Sequence, residues 1–264
     1  MIRLLPLLLC LLVLAPWPAS ARVPGPQAWP TVDTVRDLAQ IRRSGTLRVL
    51  VNQSRNSSGE VKGEAIGIEY VRLRAFEQFL NRGSKGPPIT LEIIPKAKDQ
   101  LLGALQRGEG DLVAPGELLE LGTMRRVSRS RAVVDNVAMV LVGRQGGPRY
   151  KSFEQLSGRS LALSAGSAAG TDLEEINQRL MQAGRAPIAV EWVDPTLAVE
   201  DVLEMVQAGI YPATVVERSI AERWAKVLPK LRIERALTLG KRGDMHWFLR
   251  KEASMLRASV DRFL

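Results

Sequence analysis

The feature that most constrains the fold of this chain is a regular alternation of short apolar strands and amphipathic helices. In the first half, strand patterns at 46–51, 89–94 and 111–114 alternate with helix patterns at 69–81 and 99–107. Such alternation favours a largely parallel sheet with helices on both faces. Two further expectations follow locally. A helix capped by Asp33 should end at Ser44, and Val71 should lie on the apolar face of the 69–81 helix.

The alternation resumes after a Gly-Gly-Pro break that ends at Pro148. The longest strand-like run, Val133 to Val142, lies just before this break. We therefore predict an α/β protein with two lobes and a crevice between them, each lobe a mostly parallel sheet with helices on both faces. The predicted boundaries are 33–141 and 240–264 for lobe 1, and 142–239 for lobe 2.

The first twenty-one residues have the pattern of a signal peptide. Arg3 is followed by a twelve-residue apolar run at 4–15, and the Ala-Ser-Ala sequence ending at Ala21 supplies the small residues that signal peptidase needs. An uncleaved anchor is the alternative, but a spanning helix needs about 20 apolar residues, and Pro16 and Pro18 end the apolar stretch too early. We expect cleavage after Ala21, a leader at 22–32, and export to the periplasm.

The composition argues against most catalytic and metal chemistry. The single cysteine, Cys10, lies inside the predicted signal peptide, so the mature chain is expected to have no disulfide and no thiol ligand. The single histidine, His246, has no partner for a metal site and no Gly-x-Ser-x-Gly motif beside it. Paired carboxylates for glycoside cleavage stay possible, although nothing singles out a pair. We predict no enzyme, no metal and no cofactor.

The chain carries a formal net charge of +9, spread along its length with a modest cluster that includes Arg125 and Arg131. One interpretation is attraction to an anionic polymer or lipid surface of the cell envelope. The other is an ordinary solvated basic surface. Nucleic acid is not an expected partner, because no aromatic residues are interleaved with the basic ones.

Five local patterns occur in an order that is typical of one family. They are Gly45-Thr46-Leu47-Arg48-Val49, Gly67-Ile68-Glu69-Tyr70, Leu105 to Asp111, Leu156-Ser157-Gly158-Arg159 with Gly166-Ser167, and Ala208-Gly209 to Glu217. On these patterns the chain resembles the type-3 extracellular solute-binding proteins, which have the two-lobed periplasmic-binding-protein fold (type II). The resemblance covers the chain from about Asp33 to Leu264.

Three further segments narrow the resemblance. The stretches 227–233 and 246–251 and the closing Arg262-Phe263-Leu264 are similar to the N-terminal, non-catalytic domain of the membrane-bound lytic murein transglycosylases. In those enzymes a lysozyme-like catalytic domain follows. We expect that domain to be absent here, unless the natural reading frame continues past Leu264.

The resemblance implies a ligand site in the crevice between the lobes. In amino-acid-binding members an Arg grips the ligand carboxylate, but that register falls on Leu118, Glu120 and Thr123, with Arg125 near and out of step. The acid that receives an α-ammonium falls on Glu217. The candidate ligand-binding residues are Asn52, Glu69, Gly116, Glu117, Arg125, Ser167, Ala168 and Glu217.

Several of these residues have a plain structural alternative. The loop containing Ser167 can hold an anion at a helix N-terminus or simply cap that helix. Glu117 lies where ligands collect in open α/β sheets, but it can equally be a first-turn helix acid. The same alternative holds for Glu69.

We therefore predict a non-catalytic binding protein for a small polar ligand, such as an amino acid, a peptide or a muropeptide. Its partner would be a membrane transporter or a peptidoglycan enzyme. One alternative is an interaction or regulatory module that has lost its ligand. The other is a fragment of a lytic transglycosylase.

Overall fold

The computed structural model describes residues 36–264 apart from 62–63, 85 and 122–125. The predicted signal peptide, the leader, the Asp33 cap and the candidate residue Arg125 lie outside these residues. Within them, no helix combines the length and the apolarity that a membrane span requires.

The described residues form ten strands and seven helices in alternation. The strands are β1 (Thr46–Asn52), β2 (Gly59–Val61), β3 (Glu64–Ile66), β4 (Thr90–Lys96), β5 (Leu112–Ala114), β6 (Val127–Arg144), β7 (Ser160–Leu163), β8 (Ala189–Trp192), β9 (Ala213–Glu217) and β10 (Leu231–Arg250). The helices are α1 (Leu38–Ser44), α2 (Ile68–Asn81), α3 (Leu101–Gln106), α4 (Ala169–Gln182), α5 (Val199–Ala208), α6 (Arg218–Trp224) and α7 (Ser254–Phe263).

Eight of the strands form one mixed sheet in the order β4-β1-β5-β10-β6-β9-β7-β8, and β2 and β3 form a separate hairpin. Strand β1 is parallel to β4 and β5, which we call the β1 group, and β7 is parallel to β8 and β9, which we call the β9 group. The long strands β6 and β10 are antiparallel to each other and separate the two groups. The predicted α/β class with two parallel sets of strands is confirmed.

Strand β6 is longer than the sequence pattern indicated. The run predicted at Val133 to Val142 is part of an eighteen-residue strand, and its neighbour β10 has twenty residues. Their pairing is interrupted by register shifts between Glu234 and Thr238 and again between Leu239 and Phe248. The lobe boundaries at 141/142 and 239/240 stay a prediction.

Each group of strands has its own apolar core. Trp247, fully buried under the β1 group, packs its ring 5.4 Å from that of Phe76 and 6.0 Å from that of Phe263. The core beside the β9 group is mainly aliphatic and includes Leu163 and Leu173. Burying one leucine or phenylalanine side chain of these cores stabilises the fold by about 1.5–3 kcal/mol.

Helix α1 begins later than predicted, because Asp37 is its cap in the structure. The Asp37 Oδ1 atom accepts a hydrogen bond from the backbone N–H of Leu38 at 2.7 Å. The same carboxylate accepts from the N–H groups of Met255 and Leu256 at the start of α7. One acid therefore caps two helices and ties the C-terminal helix to the β1 group.

Helix α2 buries a face that differs from the predicted one. Val71 is 68% exposed, whereas Glu69 and Glu77 are buried beside the apolar residues of the helix. Both acids are hydrogen-bonded, since Glu77 accepts from the N–H of Leu91 at 2.9 Å and Glu69 accepts from Trp247 Nε1 at 2.6 Å. The prediction for Val71 was wrong because apolar periodicity cannot anticipate buried carboxylates that have partners.

A buried aspartate joins two of the sequence patterns. Asp111, with no exposed surface, accepts from Arg48 Nη2 at 2.8 Å and from Arg36 Nη1 at 2.9 Å. Arg250 lies farther away at 3.8 Å, and burial lowers its pKa. Arg48 belongs to the sequence pattern that starts at Gly45, and Asp111 ends the pattern that starts at Leu105. Each of these two family patterns therefore contributes a residue to the buried ion cluster.

Candidate functional site

Polar side chains from both groups of strands meet where the parallel strands end. Asn52 is the last residue of β1, Lys98 and Glu117 follow β4 and β5, Ser164 follows β7, and Glu217 is the last residue of β9. We call this set the crevice. The carboxyl ends of parallel strands are where open α/β sheets collect their ligands, so this is the candidate site.

Glu117 is the centre of the crevice on the side of the β1 group. Its Oε1 atom accepts from Asn52 Nδ2 at 2.9 Å, and its Oε2 atom accepts from Lys98 Nζ at 2.8 Å. All three residues are buried. A buried charge needs this kind of pairing, because its desolvation is otherwise too unfavourable.

Glu217 approaches the crevice from the β9 group. It is 1% exposed, and its Oε1 atom accepts from the backbone N–H of Leu118 at 2.7 Å. Burial raises the pKa of Glu217; Lys98 opposes this rise, Glu117 adds to it, and the resulting pKa lies above the ordinary value. The hydrogen bond links strand β9 directly to the segment that follows β5.

Lys98 is the buried cation between these acids. Burial alone would lower the pKa of Lys98, but the charges of Glu117 and Glu217 outweigh burial and raise it. Two buried carboxylates thus share one buried ammonium among the described residues. With both acids ionised, the crevice carries one negative charge in excess.

A second contact closes the mouth of the crevice. Glu200, at the start of α5, is buried and accepts from Ser54 Oγ at 2.9 Å and from the N–H of Arg55 at 2.6 Å. Burial raises the pKa of Glu200. The Arg55 side chain reaches Asp201 and Glu204 at 3.0 and 2.9 Å, so the loop after β1 is fastened to α5.

The Ser167 loop brings the two groups together through its backbone. Leu119 and Ser167 form an isolated β-bridge, and the N–H of Glu120 donates to the carbonyl of Gly166 at 3.4 Å. The Ser167 hydroxyl accepts a hydrogen bond from the N–H of Ala169 at 3.4 Å. The N-cap position of α4 is Ala168, which makes no side-chain capping hydrogen bond.

The structure places the remaining candidates in different surroundings. Gly116 has a positive φ of 68°, and a Cβ atom there would overlap the hydroxyl of Ser57, so it packs the loop after β5 against the loop after β1. Glu69 is engaged by Trp247 and by Arg72 at 2.7 Å, inside the core of the β1 group. Glu69 therefore has the structural role. Of the candidates that the structure describes, Asn52, Glu117 and Glu217 are those whose side chains belong to the crevice.

The space between these groups is small. A cavity of about 10 Å³ is lined by Asn52, Lys98, Glu117 and Ser164 together with the segment 195–199. That volume is near the lower limit for a single water molecule. A wider cavity of about 540 Å³ opens at the mouth, between Tyr70 on α2 and Asp201 on α5.

Two members of the site were missed at the level of sequence. Lys98 follows β4, and its place at the carboxyl end of a parallel strand was the available signal. Glu200 was missed because a first-turn helix acid is common on surface helices.

No group of three or more potential metal ligands occurs in the parts of the chain that the structure describes.

No family model matches the chain. Curated relatives do: a membrane-bound lytic murein transglycosylase F of Ectopseudomonas mendocina is 26% identical over 86% of this chain and 44% of its own length. The enzyme of the same name from Desulfosudis oleivorans is 25% identical over 87% of the chain and 47% of its own length, and that from Yersinia pestis is 32% identical over 53% and 27%. The chain thus spans less than half the length of these relatives.

Solved structures share the fold at low identity. An ancestral arginine-binding protein bound to arginine superimposes with a TM-score of 0.66 at 21% identity, over 83% of this chain and 90% of that one. The holo arginine-binding protein of T. maritima gives 0.70 at 18% identity, over 85% and 91%. A protein of Streptococcus mutans described for glutathione import gives 0.69 at 15% identity, over 83% and 87%.

These comparisons confirm the resemblance and the fold. The chain has the two-lobed periplasmic-binding-protein fold, and its sequence relatives carry the similar segment within a longer lytic murein transglycosylase. Within the single eight-stranded sheet, we assign the β1 group to one lobe and the β9 group to the other, with the crevice residues between them.

Proposed function

We propose that this chain is a solute-binding domain that holds a small ligand bearing an ammonium or guanidinium group between its lobes. The observation that carries the proposal is the excess of buried carboxylate in the crevice. Glu117 and Glu217 are both buried there, and Lys98 supplies a single positive charge for the two. A cationic ligand would neutralise the remaining charge, the same excess that helps to raise the pKa of Glu217.

The position of Glu217 supports this assignment. It ends the strand that corresponds to the ammonium-binding strand of the family, and the arginine-bound neighbours share the fold. The described residues of the crevice offer no arginine for a ligand carboxylate. The ligand is therefore proposed to be recognised mainly by its cationic end, which an amino acid, a peptide or an amine-bearing muropeptide can supply.

Ligand entry requires the lobes to separate. The cavity of about 10 Å³ beside Glu117 has no room for an amino acid. Opening would break the Leu118–Glu217 and Ser54–Glu200 hydrogen bonds, which join opposite lobes. Because β6 and β10 are shared by both lobes, they are the natural hinge for this motion.

The proposed setting is the periplasm, reached through the signal peptide at 1–21. The domain would pass its ligand to a membrane transporter or report it to a peptidoglycan enzyme. We assign it no catalytic step.

A second candidate is an interaction module that has replaced its ligand with its own side chains. The observation that favours it is the contact of Lys98 with Glu117, which fills the space where an ammonium would bind. In that case the lobes stay closed and no small molecule changes the stability of the protein.

Thermal unfolding of the purified protein tests the proposal. L-Lysine, agmatine and spermidine serve as cationic probes, and 6-hydroxynorleucine replaces the side-chain ammonium of lysine with a hydroxyl. At one hundred times its Kd a ligand stabilises by about 2.7 kcal/mol, which for a chain of this size raises Tm by about 5–10 °C.

The variant Glu217→Gln should lose the rise, and Glu174→Gln, an exposed acid on α4, should keep it. Unchanged melting temperatures with all three amines would contradict the proposal and favour the interaction module. A rise that survives in Glu217→Gln would place the ligand elsewhere.

A further inference from the structure

A third cavity lies at the opposite ends of the strands from the crevice. It measures about 470 Å³ and is lined by residues where β6 ends and where β7, β9 and β10 begin. The crevice lies at the carboxyl ends of β7 and β9, whereas this cavity lies at their amino ends. No residue of the crevice contributes to it. Its volume is within the range of about 300–1,000 Å³ that small-molecule sites occupy.

The rim of the cavity is fixed by hydrogen bonds. Arg232, on β10, donates from Nη1 to the carbonyls of Arg144 and Gly147 at 2.9 and 3.0 Å, and it also donates to the carbonyl of Pro148. Its Nε atom is 2.7 Å from the carboxylate of Glu234. The turn that follows β6 is therefore held in place without a ligand, and Arg232 and Glu234 neutralise each other.

The floor of the cavity is apolar and its walls are aromatic. Leu141, Leu156 and Ala213 are buried beneath it, and Tyr150 and Tyr211 are half-buried at its sides. Aromatic walls above an aliphatic floor suit the face of a ring better than a bare inorganic ion.

Two guanidinium groups in the lining are not committed to a carboxylate. Arg144 and Arg159 line the cavity and are exposed, and neither is in an ion pair with another described residue. The Arg159 guanidinium lies 5.8 Å from the ring centroid of Tyr150, which orients it along the wall. Since Glu234 is matched by Arg232, the cavity has a net charge of +2 from these two arginines.

We propose that this cavity, the arginine pocket, binds a small anionic ligand that combines a carboxylate or phosphate with a ring. The anion would be held by Arg144 and Arg159, because guanidinium groups recognise both chemistries with paired hydrogen bonds. The ring would lie against Tyr150 or Tyr211. This site is independent of the crevice and selects the opposite ligand charge.

Isothermal titration calorimetry on the purified protein tests the arginine pocket. The probes are N-acetylmuramic acid for a carboxylate, N-acetylglucosamine 1-phosphate for a phosphate, and N-acetylglucosamine as the uncharged ring. We expect one or both charged sugars to bind at least about tenfold more tightly than the uncharged one, because hydrogen bonds to charged groups contribute about that factor. The stronger of the two identifies the anion.

Variants locate the binding. Arg144→Gln and Arg159→Gln should each weaken the charged sugar about tenfold. Arg242→Gln, an exposed arginine on β10 outside the lining, removes the same charge and should leave the Kd unchanged. Raising the salt concentration should weaken binding to the intact protein.

The failure of this proposal is distinguishable from failure in the crevice. The Glu217→Gln variant should bind the charged sugar with an unaltered Kd, whatever it does to amines. Equal affinity for charged and uncharged sugars, or no binding of any of them, would overturn the arginine pocket. So would equal weakening by Arg242→Gln and Arg144→Gln.

Discussion

Replacing Lys98 with methionine should destabilise the protein by an amount that depends strongly on pH. The change removes the ammonium that lies 2.8 Å from Glu117 and leaves that buried carboxylate with Asn52 alone. At an effective dielectric constant of about 20 the direct attraction at this distance is about 6 kcal/mol. The loss in free energy of unfolding is smaller than this, because the stranded acid can bind a proton.

Protonation of the carboxylate that has lost its partner limits how much free energy of unfolding the variant can lose. At pH 7 the solution is about 2.5 units above the ordinary glutamic acid pKa, so protonating one carboxylate costs about 3.4 kcal/mol. The loss of Lys98 also removes the desolvation of its ammonium, so we expect Lys98→Met to lower the free energy of unfolding by about 2–3 kcal/mol at pH 7. At pH 5 this limit falls to about 0.7 kcal/mol.

Urea unfolding at pH 7 and pH 5 measures both values, and the chain offers a matched control. Lys96 is also 2.8 Å from a carboxylate, that of Glu109, but both partners are about one-third exposed. Lys96→Met should therefore lose less than about 1 kcal/mol at either pH. The double variant Lys98→Met/Glu117→Gln should recover to within about 1 kcal/mol of the parent. Equal losses for the two lysine variants, or a Lys98→Met loss that does not shrink at pH 5, would refute this reasoning.

Three further outcomes follow from buried groups. Asp111→Asn removes the counter-charge of the arginines around it, and urea unfolding should show a loss of about 3–5 kcal/mol. Because the pKa of Glu217 is raised, its contribution to stability is present at low pH and is lost as the pH rises above about 4.5; Glu217→Gln should therefore gain stability relative to the parent between pH 5 and pH 8, and an unchanged difference would contradict this. Gly116→Ala forces a side chain onto Ser57 at positive φ and should lower Tm by several degrees, with about 1–3 kcal/mol lost; a Tm equal to that of the parent would show that the loop adjusts freely.

The fold could be predicted because the chain alternates its patterns so regularly. Asn52, Glu117 and Glu217 could be predicted as site residues for a related reason, since each ends or follows a parallel strand whose position the alternation gives. Their burial could not be predicted. Glu217 is covered by the segment that contains Leu118, ninety-nine residues earlier in the chain, and no local pattern records such a contact.

Lys98 and Glu200 show the limit of sequence reasoning in this chain. A lysine after a strand and a glutamate in the first turn of a helix are ordinarily exposed. Both are buried here, Glu200 with Ser54 as its partner and Lys98 with Glu117 as its partner. Val71 shows the opposite error, since it was predicted to be buried and is exposed. Glu69 and Glu77 occupy buried positions of α2 instead, because they accept hydrogen bonds from Trp247 and Leu91. In each case a hydrogen-bond partner outside the local pattern decided whether a charge could be buried.

The central position of β10 also has a consequence for how the chain is made. This strand lies between β5 and β6, yet among the eight strands of the sheet it is the last to be synthesised. Until residues 231–250 are available, the edge of β5 that faces away from β1 is unpaired, and so is the edge of β6 that faces away from β9. Such open strand edges invite pairing with other chains. We therefore expect nascent or truncated chains that lack β10 to depend on chaperones, however complete their earlier strands and helices are.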